Sequence, residues 1–260
     1  RGKNLGIVGY GHIGSQVSIL AEALGMNVYY YDIVKKLSLG KSKACHSLDE
    51  LLSISHVVTL HVPETPLTIN MIGEREIGLM RRGACLLNAS RGSVVNINAL
   101  SKAIASGHIC GAAIDVFPEE PASNNDPFIS DLQQFDNVIL SPHVGGSTLE
   151  AQENIGTEVA EKLVKYSDTG STIGATNFVQ ISLQPNVNAQ RFLHIHKNEP
   201  GLLKEINYVF TSRGINIAAE YLQTDPDIGY VIIDTDSDID NSIIKDLKSI
   251  PGTIRARMLY

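Results

Sequence analysis

The chain has 260 residues, 28 acidic against 21 basic side chains, and a net charge of −7. That balance leaves no basic stripe for nucleic acid, and no apolar run is long enough to span a bilayer, so nucleic-acid and membrane partners are not expected. Length suggests two domains, and the three scattered cysteines Cys45, Cys85 and Cys110 have neither metal-ligand nor redox spacing, which fits a reducing cytoplasm with no metal site.

The chain opens at Arg1 rather than Met, shows no signal-peptide pattern and runs almost at once into a strand; the expectation is a chain whose front part is absent. Leu5-Gly6-Ile7-Val8 reads as that strand, and Ile13, Val17, Leu20 and Leu24 recur behind it at helical spacing. Between the two lies Gly9-Tyr10-Gly11-His12-Ile13-Gly14. Three glycines at this spacing are weak evidence alone, but strand, glycine turn and helix in succession form a dinucleotide-binding unit. Gly9 permits the tight turn, Gly11 lets a pyrophosphate approach the backbone, and Gly14 lets helix and strand pack closely; the helix N-terminus faces the phosphates. A second apolar run, Val28 to Tyr31, ends at Asp32, about 20 residues past the glycines, where an acid reads a ribose. The alternative is a structural turn in a nucleotide-free α/β domain.

Further strands are expected at Val57 to Leu60, Cys85 to Leu87, Ala112 to Ile114 and Val138 to Leu140, with helices such as Ser47 to Ser53 and Ala99 to Ser106 between them. This alternation predicts a doubly wound parallel α/β sheet of the Rossmann kind. A long amphipathic helix from about Thr148 to Tyr166 follows, with Ala151, Ile155, Val159 and Leu163 as its stripe, and then the polar connector SDTGSTIGATN. The last 70 or so residues change character. Strand, helix, two strands around TDPDIG, helix and strand give the β-α-β-β-α-β order of a ferredoxin-like α+β domain. The expected division is 1–170 for the nucleotide domain with its connecting helix, 171–188 for a linker and 189–260 for the small domain.

Ligands of open parallel sheets sit at the carboxyl ends of strands, and three such ends are polar. LLNASRG carries Asn88, Ser90 and Arg91; AAIDVFPEEP carries Asp115, Glu119 and Glu120; ILSPHVGGST carries His143, Gly145 and Gly146. A hydroxy acid that loses hydride to a nicotinamide needs a base, a carboxylate behind the base and a cation for its own carboxylate. His143, Glu120 and Arg91 are those residue types. Each has a plainer reading, as a loop histidine, a charged turn before proline and a solvated arginine. His61 ends a strand and could line the cofactor cleft, whereas His46, His56 and His108 read as surface or helix-edge residues.

The stretches GYGHIG, LHVPETPLTINMI, NASRGSVV, GAAIDVFPEEP and SPHVGGSTLEAQ resemble the D-isomer-specific 2-hydroxyacid dehydrogenases, and the tail LHIHKNEPG…GINIAAEYLQT…IPGTIRARMLY is similar to an ACT regulatory domain. The resemblance covers essentially the whole chain. It implies an oxidoreductase that uses NAD, with Arg91 as substrate clamp and Glu120 with His143 as the acid–base pair. The glycine turn itself places Gly9, Gly11 and Gly14 on the cofactor; by the same resemblance His12, Ile13, Asp32, Ala89, Ser90, Arg91, Asp115, His143, Val144, Gly145 and Gly146 contact it, and His196, Asn198 and Asn216 bind L-serine between paired ACT domains. An appended ACT domain favours the branch that oxidises 3-phosphoglycerate (3-phospho-D-glycerate) to 3-phosphohydroxypyruvate at the start of serine synthesis, as a homotetramer, with 2-oxoglutarate reduction as a side activity. The other readings are a different D-2-hydroxyacid dehydrogenase, or an NAD- and serine-binding regulatory piece without catalysis. Two departures stand out: the family's N-terminal substrate-domain segment has no counterpart, and PNVNAQR stands where the family often has a Gly-Gly hinge. His196, Asn198 and Asn216 are expected at one end of adjacent strands.

Overall fold

The computed structural model describes residues 1–123, 125–186, 189–236 and 239–259; Asn124, Val187, Asn188, Ser237, Asp238 and Tyr260 lie outside the described residues, two of them in the PNVNAQR stretch. The described chain divides into two units, Arg1–Thr148 and Leu149–Tyr260.

In the first unit β1 (Asn4–Val8), α1 (His12–Ala23), β2 (Asn27–Tyr31), β3 (Lys43–Ala44), α2 (Leu48–Ile54), β4 (Val57–Leu60), α3 (Glu74–Leu79), β5 (Ala84–Asn88), α4 (Ile97–Ala105), β6 (Ile109–Ile114) and β7 (Val138–Leu140) follow in turn. All strands run parallel in the order β3-β2-β1-β4-β5-β6-β7. The order reverses between β1 and β4, which opens a crevice at their carboxyl ends. Side-chain caps set two helix starts: Ser47 accepts from the Glu50 N–H and Asn96 from the Ala99 N–H. Leu51, Leu52, Ile77, Leu100 and Ile104 of α2, α3 and α4 pack with Val58, Leu60, Leu86 and Ile114 in the main core.

Of the four apolar positions read along α1, only Val17 packs against the core and the other three point away from it. Ile13, Leu20 and Leu24 are 65%, 65% and 72% exposed, and the helix buries Gly14, Ser18 and Ala21 instead. The reason is distance: a Cβ on Gly14 would stand 2.2 Å from the Gly9 carbonyl oxygen, so only small residues fit that face.

The second unit begins with α5 (Leu149–Thr169), so the division after Thr148 differs from the expected boundary near 170 by this helix. Its expected stripe is not covered: Ile155, Val159 and Leu163 are half or more exposed, and the helix is held at its C-terminal end, where the Arg257 guanidinium lies 4.5 Å from the Tyr166 ring centroid. Then come β8 (Gln190–Lys197), α6 (Leu202–Ser212), β9 (Ile217–Thr224), β10 (Ile228–Thr235), α7 (Ile243–Ser249) and β11 (Thr253–Leu259), in an antiparallel sheet ordered β11-β8-β10-β9. Its β-α-β-β-α-β order and pairing are ferredoxin-like.

α6 and α7 cover one face of this sheet through Leu202, Ile206, Phe210, Ile243 and Leu247. Val179, Ile181 and Leu183 cover the other, against Leu193, Tyr230 and Ile232. The stretch expected as a linker thus contributes three buried side chains to the core, and alternation at 179, 181 and 183 is a strand-like signal. A buried ion pair closes this end of the unit: Arg191 donates to both carboxylate oxygens of Asp234 at 2.6 and 2.7 Å, and also to the carbonyls of Thr169 and Gln184.

Candidate functional site

The glycine turn begins where β1 ends. Gly9 has φ of +89°, and a Cβ there would lie 2.5 Å from the His61 carbonyl oxygen, so a side chain is excluded on both counts. A Cβ on Gly11 would meet nothing within 4 Å, and no side chain caps α1 behind it. An open backbone in front of an uncapped helix N-terminus, with His12 and Ile13 in its first turn, is where phosphates are held. Asp32, just past β2, accepts from the Tyr10 N–H at 2.8 Å through one carboxylate oxygen and from the Val34 N–H at 2.9 Å through the other. It therefore ties the glycine turn to the end of β2 and keeps lone pairs for a ribose. His61, just past β4, donates its backbone N–H to the Val8 carbonyl, and its ring Nε2 lies 3.0 Å from the Thr59 hydroxyl; burial pushes the ring pKa down. This donor set fits a dinucleotide.

At the end of β5 the Asn88 side chain accepts from the Ser90 N–H and hydroxyl and donates to the Arg91 carbonyl. The loop Ala89-Ser90-Arg91 is thereby shaped from within. Gly92 anchors it, because a Cβ there would stand 2.0 Å from the Phe117 backbone. The exposed Arg91 guanidinium donates to the Ser90 carbonyl at 2.6 Å and leaves its other donors toward solvent.

His143 and Glu120 come together across 23 residues of sequence, with Nδ1 at 2.9 Å and 3.1 Å from the two carboxylate oxygens. The Glu120 carboxylate also accepts from the Phe117 N–H at 3.0 Å. The bond to His143 is the main cause that holds the Glu120 carboxyl below the usual range. A proton on Nδ1 facing Glu120 leaves Nε2 as the basic nitrogen.

His143 itself sits at φ +55°, a backbone region that costs a non-glycine residue on the order of 1 kcal/mol or more. Asp115 holds it there. This buried carboxylate accepts from the Ser141 hydroxyl at 2.6 Å and the Val144 N–H at 3.0 Å through one oxygen, and from the Gly145 N–H at 3.0 Å through the other. Burial would raise the Asp115 pKa, but the bonds from Ser141, Val144 and Gly145 outweigh it and keep the carboxyl ionised well below its ordinary value. Ser141 was not singled out from the sequence; only its place at a strand end could have marked it.

Two cavities open at this edge. One of about 450 Å³ is lined by Phe117, Glu120, Phe128, Ser141, Pro142 and His143, and another of about 330 Å³ by Asn88, Ala89, Asp115, Ser141, Val144 and Gly145. His46 is exposed, while His56 accepts from the Asn4 N–H and His108 binds the Ile77 carbonyl, so none of the three joins the site. Among the described residues no cluster of three potential metal ligands occurs, and no helix is long and apolar enough to cross a membrane.

The three residues expected to share one end of the small sheet do not. Gly229 of β10 pairs with His196, whereas Thr235 pairs with Ile217, the residue after Asn216. Asn198 donates to the Asp225 carbonyl at the hairpin, and Asn216 donates to Asp236 at the opposite end. At ~3.4 Å per residue the two ends are roughly 20–25 Å apart. Both β8 and β9 run antiparallel to β10 and so parallel to each other, and α6 carries the chain from the end of β8 back to the opposite end of the sheet where β9 starts, which nearness in sequence hides. His194, unmarked in the sequence, is buried beside His196, with the two Nδ1 atoms 3.3 Å apart and its Nε2 3.0 Å from the Thr253 hydroxyl.

The fold and the site define a dinucleotide-binding α/β module, with a carboxylate-backed histidine at its cofactor edge, followed by an ACT-type unit. The profile of the D-isomer specific 2-hydroxyacid dehydrogenase NAD binding domain matches residues 1–145, and that of the AHAS small subunit-like ACT domain matches residues 192–255. The chain belongs to the D-isomer-specific 2-hydroxyacid dehydrogenase family, and its first unit is that family's NAD-binding domain. Over its whole length it is 59% identical to D-3-phosphoglycerate dehydrogenase of Escherichia coli (strain K12), covering 64% of that protein, and 58% identical to the enzyme of the same name from Haemophilus influenzae, covering 63%. The chain therefore spans somewhat under two thirds of the length of these relatives. Among solved structures, D-lactate dehydrogenase from Aquifex aeolicus in complex with NAD and lactic acid is 37% identical with a TM-score of 0.56, over 63% of this chain and 53% of the other.

Proposed function

We propose that this chain is the nucleotide-binding and regulatory portion of an NAD-dependent D-3-phosphoglycerate dehydrogenase, which oxidises 3-phospho-D-glycerate to 3-phosphohydroxypyruvate at the start of L-serine synthesis. The observation that carries the reading is the contact of 2.9 Å between His143 Nδ1 and Glu120, at the sheet edge that also bears the glycine turn. NAD, when bound, supplies the hydride acceptor. His143 Nε2 takes the proton of the substrate hydroxyl, and Glu120 stabilises the imidazolium that results. Arg91 clamps the substrate carboxylate with its free donors, and Asp115 keeps His143 in position. Gly9, Gly11, His12, Ile13, Gly14, Asp32, His61, Ala89, Ser90, Val144, Gly145 and Gly146 line the path of the cofactor. Asp32 favours NAD over NADP, because its charge repels a 2′-phosphate.

In the full-length protein, His143→Ala lowers kcat by about 100-fold or more, far more than it weakens NAD binding. Retained turnover in that variant would refute the assignment. Glu120→Gln moves the acidic limb of the pH profile. Another D-2-hydroxyacid in place of 3-phosphoglycerate as the best substrate would keep the mechanism and change the substrate. Reduction of 2-oxoglutarate, followed as NADH consumption, tests the side activity.

A second reading is favoured for this chain by itself, since it spans 64% of the E. coli relative: it binds NAD and serine and turns over substrate poorly. Serine contacts His196 and Asn198 of one copy and Asn216 of another, a reading supported by their places at opposite ends of the sheet, so effector binding goes with a homo-oligomer, a tetramer in the full-length protein. Millimolar serine should raise the melting temperature of the second unit and Asn216→Ala should abolish the rise. The absence of any shift in the unmodified chain would leave the ACT unit as an assembly module.

A further inference from the structure

Cys85 and Cys110 are 25 residues apart in sequence, yet their Sγ atoms lie 3.2 Å apart. This is a correction to the reading of three scattered cysteines, and strand pairing is the reason. β5 and β6 are neighbours, and Ala84 pairs with Ile109 while Cys85 pairs with Gly111. The slip makes Cys110 the extra residue of a bulge. Ile109 and Ala112 both stay in the main core, so Cys110 and Gly111 together turn to the opposite face, the face of Cys85. Adjacent strands hold their Cα atoms about 5 Å apart, inside the range that a disulfide bridges. Both thiols are free, Cys110 is exposed and Cys85 is half-buried.

We propose that Cys85 and Cys110 are a peroxide-responsive thiol pair that closes to a disulfide and staples β5 to β6. In the first step the Cys110 sulfur attacks a peroxide, the O–O bond breaks, the sulfur is oxidised to sulfenic acid and water leaves. In the second the Cys85 sulfur attacks the Cys110 sulfur, the S–S bond forms, the S–O bond breaks and a second water leaves with the Cys85 proton. The peroxide takes both electrons, and a thiol reductant reverses the reaction. Burial, then the adjoining Cys110 thiol, pushes the Cys85 thiol up to about 11, so Cys85 is protected from direct attack and the exposed Cys110 meets the oxidant first. Burial likewise pushes the isolated Cys45 thiol up to about 11, with a contribution from Glu50. The staple lies at the amino ends of β5 and β6, whereas Asn88 and Asp115 stand at their carboxyl ends. Oxidation therefore marks the stability of the NAD-binding unit and leaves the cofactor edge in place.

The test treats the chain with hydrogen peroxide, blocks remaining thiols and maps peptides without reduction. A Cys85–Cys110 linked peptide pair is expected, about 2 Da lighter than the two free peptides, and thiols titrated after denaturation fall from the three of the sequence to one. The melting temperature of the first unit should rise by about 5 °C, and dithiothreitol should reverse both changes. Cys45→Ala should leave the crosslink intact, and Cys110→Ser, at an exposed position, should abolish it. Three surviving thiols, a Cys110 sulfinic acid beside a free Cys85, a Cys110–Cys110 link between two chains, or a crosslink without a rise in melting temperature would each overturn the proposal.

Discussion

In the first unit α1 meets its sheet through Gly14, Ser18 and Ala21; in the second α6 meets its sheet through Leu202, Ile206 and Phe210. Both helices carry large apolar residues, but of these α1 turns only Val17 toward its core, whereas α6 buries its stripe. A helix that follows a phosphate-binding turn has to approach its strand closely, because the turn between them is short and its glycine carbonyl points into the contact. No such turn precedes α6, so its stripe interdigitates with Phe192, Val231 and Ile233 in the usual way. Polar groups differ in the same sense. Three carboxylates of the first unit, Asp32, Asp115 and Glu120, each accept from loop N–H groups and stay near the ligand edge. In the second unit Arg191 and Asp234 are paired away from water, with side chains 7% and 1% exposed.

The largest effect that would test this contrast comes from the buried pair. Asp234→Ala strands the Arg191 charge and is expected to destabilise the second unit by about 3–5 kcal/mol, read as a urea-unfolding transition that moves while NAD binding stays. A loss under about 1 kcal/mol would show that water reaches the pair. Next comes Gly14→Ala, whose methyl group collides with the Gly9 carbonyl. It should cost the first unit about 3 kcal/mol and weaken NAD binding tenfold or more by calorimetry.

Acid should then act on the second unit selectively. Burial is the main cause that pulls the His194 pKa down to about 4, opposed by its bond to the Leu247 carbonyl and helped by His196, which is lowered in the same direction. An unfolded histidine titrates near 6.5. Between those values the unfolded chain binds a proton that the folded unit does not, so stability is full above about 6.5 and falls as pH drops toward 4. A loss on the order of 2 kcal/mol between pH 7 and pH 5 is expected, and His194→Gln should flatten the slope. The smallest effect belongs to Leu20→Ala on the open face of α1, within about 0.5 kcal/mol; a cost of 2 kcal/mol or more would mean that this face is buried in solution.

The glycine turn was legible because its requirements are local. Gly9, Gly11 and Gly14 are spaced by one turn of chain, and Asp32 follows at the end of the next strand. The carboxyl-edge residues Arg91, Glu120 and His143 were legible as residue types at strand ends. What holds them was not. Asp115 reads as one more strand-end acid, and only pairing of β6 with β7 brings Ser141, Val144 and Gly145 onto it. The stretch from Val179 to Leu183 carried an alternating pattern, but polar neighbours at Gln180 and Ser182 masked it.

By itself the sequence determined the two architectures, the alternating parallel unit and the β-α-β-β-α-β unit, together with the nucleotide turn, because periodicity and turn residues act over a few positions along the chain. Tertiary structure decided which face of α1 is buried, that Asn216 and His196 lie at opposite ends of one sheet, that Asp115 holds His143 in a left-handed conformation, and that two cysteines 25 residues apart touch. The face of α1 follows from the close approach of Gly14 to the Gly9 carbonyl; the other three depend on how strands distant in sequence are paired, and pairing is set by the packing of the whole unit, which no local pattern records.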